Sequence, residues 1–98
     1  HILEIAMIES FDHSRVITMA NGDSLVTAMT LAAMYEKLSA LDCFFQPHRA
    51  YIINLGYVKG LTTTDLVMFD GRRVPISRKV YSAFREAYMD YTFKNHGK

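Results

Sequence analysis

Apolar residues in this chain come mostly in short, β-branched runs cut by polar turn residues, with two longer stretches spaced at three and four. The first run places Ile2, Ile5 and Ile8 at spacing three, with Leu3 and Met7 beside them. A helix would fit that spacing, but the short length and isoleucine content favour a strand over Ile2–Ile8. Ser10-Phe11-Asp12-His13-Ser14 is then a polar connector rich in turn formers. Arg15–Met19 resumes as a strand, Asn21-Gly22 is a strong hairpin signal, and Ser24–Met29 is the returning strand.

Thr30 has the chemistry of a helix N-cap, its hydroxyl able to accept from a first-turn amide. Behind it Leu31, Met34, Tyr35 and Leu38 share one helical face, which reads as core packing. Further on, Tyr51-Ile52-Ile53 is a strand, and Asn54-Leu55-Gly56 a tight turn held by the asparagine side chain. Tyr57–Leu61, Leu66–Phe69 and Arg73–Ile76 are three more strands, the last two joined by an Asp70-Gly71 hairpin turn. Pro75 lacks a backbone donor, which assigns its strand to a sheet edge. Ser77 is the expected cap of a final helix from Arg78 to about Phe93, with Val80, Phe84, Ala87, Tyr88 and Tyr91 as its apolar stripe. The tail Lys94–Lys98 is expected to fray. The predicted fold is therefore mostly β with two helices (α+β), in small antiparallel sheets, ordered β-β-β-α-β-β-β-β-α. Ninety-eight residues make one domain, 1–98, without repeats or linkers.

Charge changes this picture more than composition does. The net charge is only +1, yet residues 1–42 carry a balance of −4 and residues 43–98 a balance of +5. Such asymmetry can give a nearly neutral protein a basic face, unless folding scatters the charges. No apolar run is long enough to span a membrane. The single cysteine, Cys43, cannot form an internal disulfide, so a reducing, cytoplasmic setting is expected.

The richest stretch for chemistry is Phe44–Asn54, where two aromatics and a β-branched run flank Pro47, His48 and Arg49. Proline stiffens the backbone and interrupts pairing, so His48 and Arg49 sit on a kink between two anchored segments. A second oddity is Arg78 and Lys79 in the first turn of the last helix, where the dipole disfavours cations. Exposed amides together with cationic side chains suit a phosphate. Enzymatic readings are weak. Cys43 beside Phe44 reads as a small buried hydrophobe. His1, His13, His48 and His96 show no metal-ligand spacing, and no glycine-rich phosphate loop is present. No cofactor, metal or catalytic residue is expected.

His48-Arg49-Ala50-Tyr51-Ile52-Ile53-Asn54 resembles the LytTR family, the DNA-binding output domains of many bacterial response regulators in two-component systems. The likeness continues through Asp70-Gly71 and Val74-Pro75-Ile76-Ser77-Arg78, and takes in Ile5–Ser10 and the Leu31–Leu38 helix. The resemblance implies an antiparallel β fold that regulates transcription by inserting loops, not a recognition helix, into successive major grooves of duplex DNA. Carried across by position, His48 and Arg49 belong to the central loop, Arg78 to the loop before the final helix, and Asp12–Arg15 to a third. Gln46 stands where the family commonly has arginine, and Pro47 where it often has an aliphatic residue. By this alignment the chain begins at about the family's third strand, and the expectation is that this sequence lacks the family's N-terminal hairpin and any receiver domain.

The DNA-binding candidates are thus His48, Arg49, Arg78, Lys79, His13, Ser14 and Arg15. Arginine can bridge guanine O6 and N7 or pair with phosphate, histidine can donate to a base, and Lys79 suits phosphate. The plainer alternatives are solvated arginines or internal ion pairs, and a half-buried His48 bonded to its own loop. The expected partner is double-stranded DNA with tandem half-sites, with a homodimer formed on DNA and no membrane. The competing class is a protein-interaction module using strand edges or the C-terminal helix and its Tyr81, Tyr88 and Tyr91.

Overall fold

A computed structural model describes residues 2–96, so His1, Gly97 and Lys98 lie outside the described residues, as do the side chains of residues 95 and 96. Eight strands and two helices form three layers: β1 (Ile5–Phe11), β2 (Ser14–Met19), β3 (Ser24–Thr27), α1 (Leu31–Leu38), β4 (Phe44–His48), β5 (Tyr51–Asn54), β6 (Val58–Leu61), β7 (Asp65–Met68), β8 (Arg73–Pro75) and α2 (Tyr81–His96). A five-stranded antiparallel sheet has the order β3-β2-β1-β5-β4, and a three-stranded one the order β6-β7-β8. The mostly-β α+β class is as expected; Phe44–His48 adds a strand to the predicted order.

The larger sheet separates two cores. On one face Ile8, Ile52, Phe44 and Cys43 pack with Leu31, Met34 and Leu38 of α1. On the other, Met7 and Ile53 pack with Leu66, Met68 and Val74 of the second sheet and with Phe84 of α2. Residues i and i+1 of a strand face opposite ways, so neighbours such as Met7 and Ile8 each serve a different core. An aromatic contact ties α2 to the larger sheet, where Phe84 meets Phe45 of β4 edge-on with centroids 5.3 Å apart; within α2, Phe84 also stacks on Tyr88 at 5.8 Å.

Both proline expectations have a structural basis. Pro75 lies in β8, at the edge of the smaller sheet. Pro47 lies in β4, also an edge, and at a bulge: Phe45 pairs with Ile53 and His48 with Tyr51, so Gln46 and Pro47 together face one residue, Ile52. An edge strand tolerates the missing donor there, which is why β4 persists where the sequence suggested only a kink.

Several boundaries move. Ile2–Glu4 is a single 3-10 turn, and β1 begins at Ile5 and continues to Phe11, shrinking the connector to Asp12-His13. Pairing with β2 and β5 sets those limits, not the isoleucine spacing. Thr30 caps α1, its hydroxyl accepting from the Ala33 amide at 3.1 Å. Ser77, by contrast, makes no side-chain cap; Arg78–Val80 is a 3-10 turn that precedes α2. The Asn21-Gly22 and Asp70-Gly71 hairpins share one geometry. Only the glycine has positive φ in each, and the loops close three residues, between Met19 and Asp23 and between Met68 and Arg72. They are therefore three-residue loops, not the two-residue turn in which both central residues have positive φ. No helix among the described residues is long and apolar enough to cross a membrane.

Candidate nucleic-acid interface

Register brings the predicted segments to one end of the larger sheet. β1 runs antiparallel to β5 with Glu9 opposite Tyr51, and the Ser10 amide donates to the Ala50 carbonyl at 2.8 Å. The β1–β2 turn at Asp12-His13 and the β4–β5 turn at Arg49-Ala50 therefore leave the same end. The third segment joins them through one backbone bond: the Ser77 amide donates to the Pro47 carbonyl at 2.9 Å. In space the segments form a row, with the Arg49 turn between the His13 turn and the Ser77–Lys79 corner.

Arg49, Arg78 and Lys79 are exposed. Among the described residues none of the three has a side-chain hydrogen bond or ion pair. The Arg49 turn is itself braced. Gln46 Nε2 donates to the Arg49 carbonyl at 3.4 Å, and the Ala50 amide donates to His48 Nδ1 at 3.2 Å. Because Nδ1 accepts, the neutral ring carries its proton on Nε2, a donor. His48 is half-buried, with its ring edge-on to Tyr51 at 5.9 Å. It thus has the local bond that was the plainer alternative, with one nitrogen still uncommitted by that bond.

The β1–β2 segment is mixed. His13 is fully exposed, 3.8 Å from Asp12 Oδ1, in a turn set by Asp12 at φ 57°. Aspartate is among the residues that tolerate this left-handed region. Ser14 is half-buried. Arg15 is folded back on its own hairpin: its Nη1 donates to the Ser14 carbonyl at 2.9 Å and to Ser10 Oγ at 3.4 Å, while its buried Nε has no partner. Arg15 pairs with Ser10, and strand alternation puts both on the α1 side. The end also bears Glu9 and Asp12, so it is not uniformly cationic.

Other polar residues build the scaffold. Asn54 is 3% exposed; its Nδ2 donates to the Leu3 and Ile5 carbonyls at 3.2 and 2.9 Å, and its Oδ1 accepts from the Gly56 amide at 2.9 Å. Arg72 pairs with Asp70 at 3.0 Å and reaches Thr18 of the larger sheet at 3.5 Å, linking the two sheets. Lys59 is exposed. Cys43 is buried, and burial pushes its thiol above the ordinary value, with the nearby Asp42 charge acting in the same sense. No cluster of three or more potential metal ligands occurs among the described residues.

The family model described as the LytTr DNA-binding domain matches residues 1–89. The chain belongs to that family. A solved LytTr DNA-binding domain from Bacillus cereus superposes with a TM-score of 0.71 at 26% identity, covering 86% of this chain and 80% of that one. The chain is also 30% identical over 76 residues to the sensory transduction protein LytT of Bacillus subtilis, and 26% identical over 89 residues to the transcriptional regulatory protein BtsR of Escherichia coli. Those matches take in 72% and 86% of this chain but 27% and 36% of the relatives, so it spans about a third of their length. It is a DNA-binding domain of the type found in transcription regulators.

Proposed function

We propose that this LytTr domain reads duplex DNA sequence-specifically with the row of segments at one end of its larger sheet, inserting Arg49 and Arg78 into the major groove. The observation that carries this is the pair of exposed, unengaged guanidinium groups on two corners joined by the Ser77–Pro47 bond. A fork of donors held on a fixed backbone matches the two acceptors of guanine. The uncommitted His48 nitrogen lies beside Arg49 and serves as an additional donor. Lys79 pairs with phosphate, as does the His13-Ser14 turn, while Arg15 stabilises its hairpin more than it reaches outward. In this reading the domain is the cytoplasmic output module of a bacterial response regulator, with no catalytic activity, and binds tandem half-sites as a dimer formed on DNA.

Selection of duplexes from a random pool, followed by footprinting, tests the proposal. Two enriched blocks separated by about one helical turn, ~10 base pairs, are expected. Recovery of no sequence above background overturns it. A second reading has one observation in its favour: β3 is an edge strand whose Leu25 and Val26 are 57% and 70% exposed, a surface suited to pairing with a protein. Salt separates the two, because DNA affinity falls by about one log unit per log unit of salt for each phosphate engaged.

A further inference from the structure

One large side chain at the same end has no role in either core. Phe11 closes β1, is 70% exposed, and is absent from both apolar clusters. An aromatic ring left in water at the tip of a strand forgoes the burial that its neighbours Met7 and Ile8 obtain. Its position is well determined. Phe11 pairs with Ser14 across the Asp12-His13 turn, and that turn needs the left-handed Asp12. One pair further back, Ser10 is bonded to Ala50, so Phe11 lies level with the Arg49 turn. Alternation then fixes its face. Met7, Glu9 and Phe11 share the side that carries the second sheet, where Ile76 and Val80, the residues flanking Ser77–Lys79, also pack; Ser10 and Arg15 point the other way. Phe11 is therefore an exposed apolar residue on a surface that otherwise carries polar and charged side chains, Arg49 and Arg78 among them and the carboxylates of Glu9 and Asp12 beside them.

We propose that Phe11 is a specificity-determining residue that packs on the C5-methyl group of a thymine in the bound duplex. The inference rests on the DNA-reading function proposed above. The major groove offers few apolar features, and the thymine methyl is the one that a phenylalanine can recognise. Hydrogen-bonding neighbours fix the register, and the ring adds a preference that donors alone cannot supply. A protein partner for Phe11 is the competing occupant, and the test below separates them.

In duplexes enriched by the intact chain, each thymine is replaced in turn by deoxyuracil, which removes only the methyl group. At one position the wild-type affinity should fall about fourfold, which is the roughly 0.8 kcal/mol of one buried methyl. Phe11→Ser should bind the thymine duplex more weakly and lose that sensitivity at the same position. Its thermal midpoint should be unchanged, because the ring is not in the core. Tight binding by wild type with no thymine distinguishable from deoxyuracil overturns the inference and leaves the DNA-reading function standing. Equal sensitivity in Phe11→Ser and wild type does the same, by assigning the methyl to another residue. Absence of any enriched duplex removes both.

Discussion

The amide of Ser77 donates to the carbonyl of Pro47 across 2.9 Å, joining two corners thirty positions apart in sequence. Arg49 leaves the scaffold two residues after that junction and Arg78 one residue after it. Proline has no donor of its own at position 47, and at this bulged edge its carbonyl accepts from Ser77, outside the sheet. The relative placement of the two arginines therefore depends on a bond that neither makes.

Ser77→Pro tests that dependence. Ser77 has φ −65°, which proline adopts without strain, so the substitution removes the donor and crowds the carbonyl without changing the backbone basin. Stability should fall by about 1–3 kcal/mol, since a hydrogen-bonded N–H is lost. Affinity for the selected duplex should fall as well, though neither arginine proposed to read it has changed. Unaltered affinity at reduced stability means that the corners act independently.

The arginines themselves make a sharper pair of measurements. Arg49→Ala and Arg78→Ala should each weaken specific binding by about 1–3 kcal/mol and relax discrimination at one base pair. Lys79→Ala should weaken all duplexes alike and flatten the salt slope by about one unit. All three residues are exposed and unengaged, so calorimetric midpoints should stay within error of wild type. A midpoint that drops with Arg49→Ala assigns that side chain to the scaffold.

How far these features were legible in the sequence depends on which contacts decide them. Thr30 as a cap, Asn54 as the holder of its turn and Pro75 as an edge residue follow from local chemistry, and each is found as expected. β4 is not legible because Pro47 signals interruption, and only its having a partner strand on one side makes the proline tolerable. The hairpins were legible as turns, but their three-residue length depends on register. Arg15 is a DNA-contact candidate in the sequence, though a weaker one than Arg49 because a turn beside a hairpin needs polar residues anyway. Its face and its bonds to Ser14 and Ser10 follow from pairing with β1, which no local pattern encodes. In the sequence Phe11 falls within a polar connector; its place at the exposed end of a strand follows only from the pairing that extends β1 to include it.

Asn54 offers a stability prediction independent of DNA. Asn54→Ala withdraws the donor shared by the Leu3 and Ile5 carbonyls and leaves the Gly56 amide without its side-chain acceptor. A loss of about 2–4 kcal/mol is expected in urea unfolding, because the site is buried. Asn54→Asp should be at least as damaging, since a carboxylate would face two carbonyl oxygens. A loss below 1 kcal/mol for both variants would show that water replaces the amide.

Alkaline stability should follow from two raised groups. Burial lifts the Cys43 thiol above its ordinary 9.0, and burial, with Cys43 and Tyr57 nearby, lifts the Tyr91 hydroxyl above 10.0. Unfolding frees each to ionise at its ordinary value, so the unfolded chain binds fewer protons there. The stabilising contribution is complete below the unfolded value and declines as pH rises toward the folded one. Midpoints should therefore be steady near pH 7–8 and decline above about pH 9, less steeply in Cys43→Ala. In the native state Cys43 should also alkylate slowly with iodoacetamide, since the thiolate is the reactive form.

Gln46 stands where the family resemblance leads one to expect an arginine. Its amide donates to the Arg49 carbonyl at 3.4 Å, a long contact, so the residue braces the Arg49 turn only weakly. It also adds no charge to a row that includes Glu9 and Asp12. Gln46→Arg exchanges the brace for a cation beside the turn. If that cation reaches phosphate, affinity for every duplex should rise and the salt slope steepen by about one unit, without a change in the selected sequence. If the brace matters more, Arg49 loses its fixed direction and discrimination falls while non-specific affinity rises. Titrating the variant against the selected duplex and a scrambled one at several salt concentrations separates the two. Equal gains on both duplexes mean that the chain's modest positive charge limits its affinity. A gain on the scrambled duplex alone means that Gln46 contributes to discrimination by holding the Arg49 turn in place.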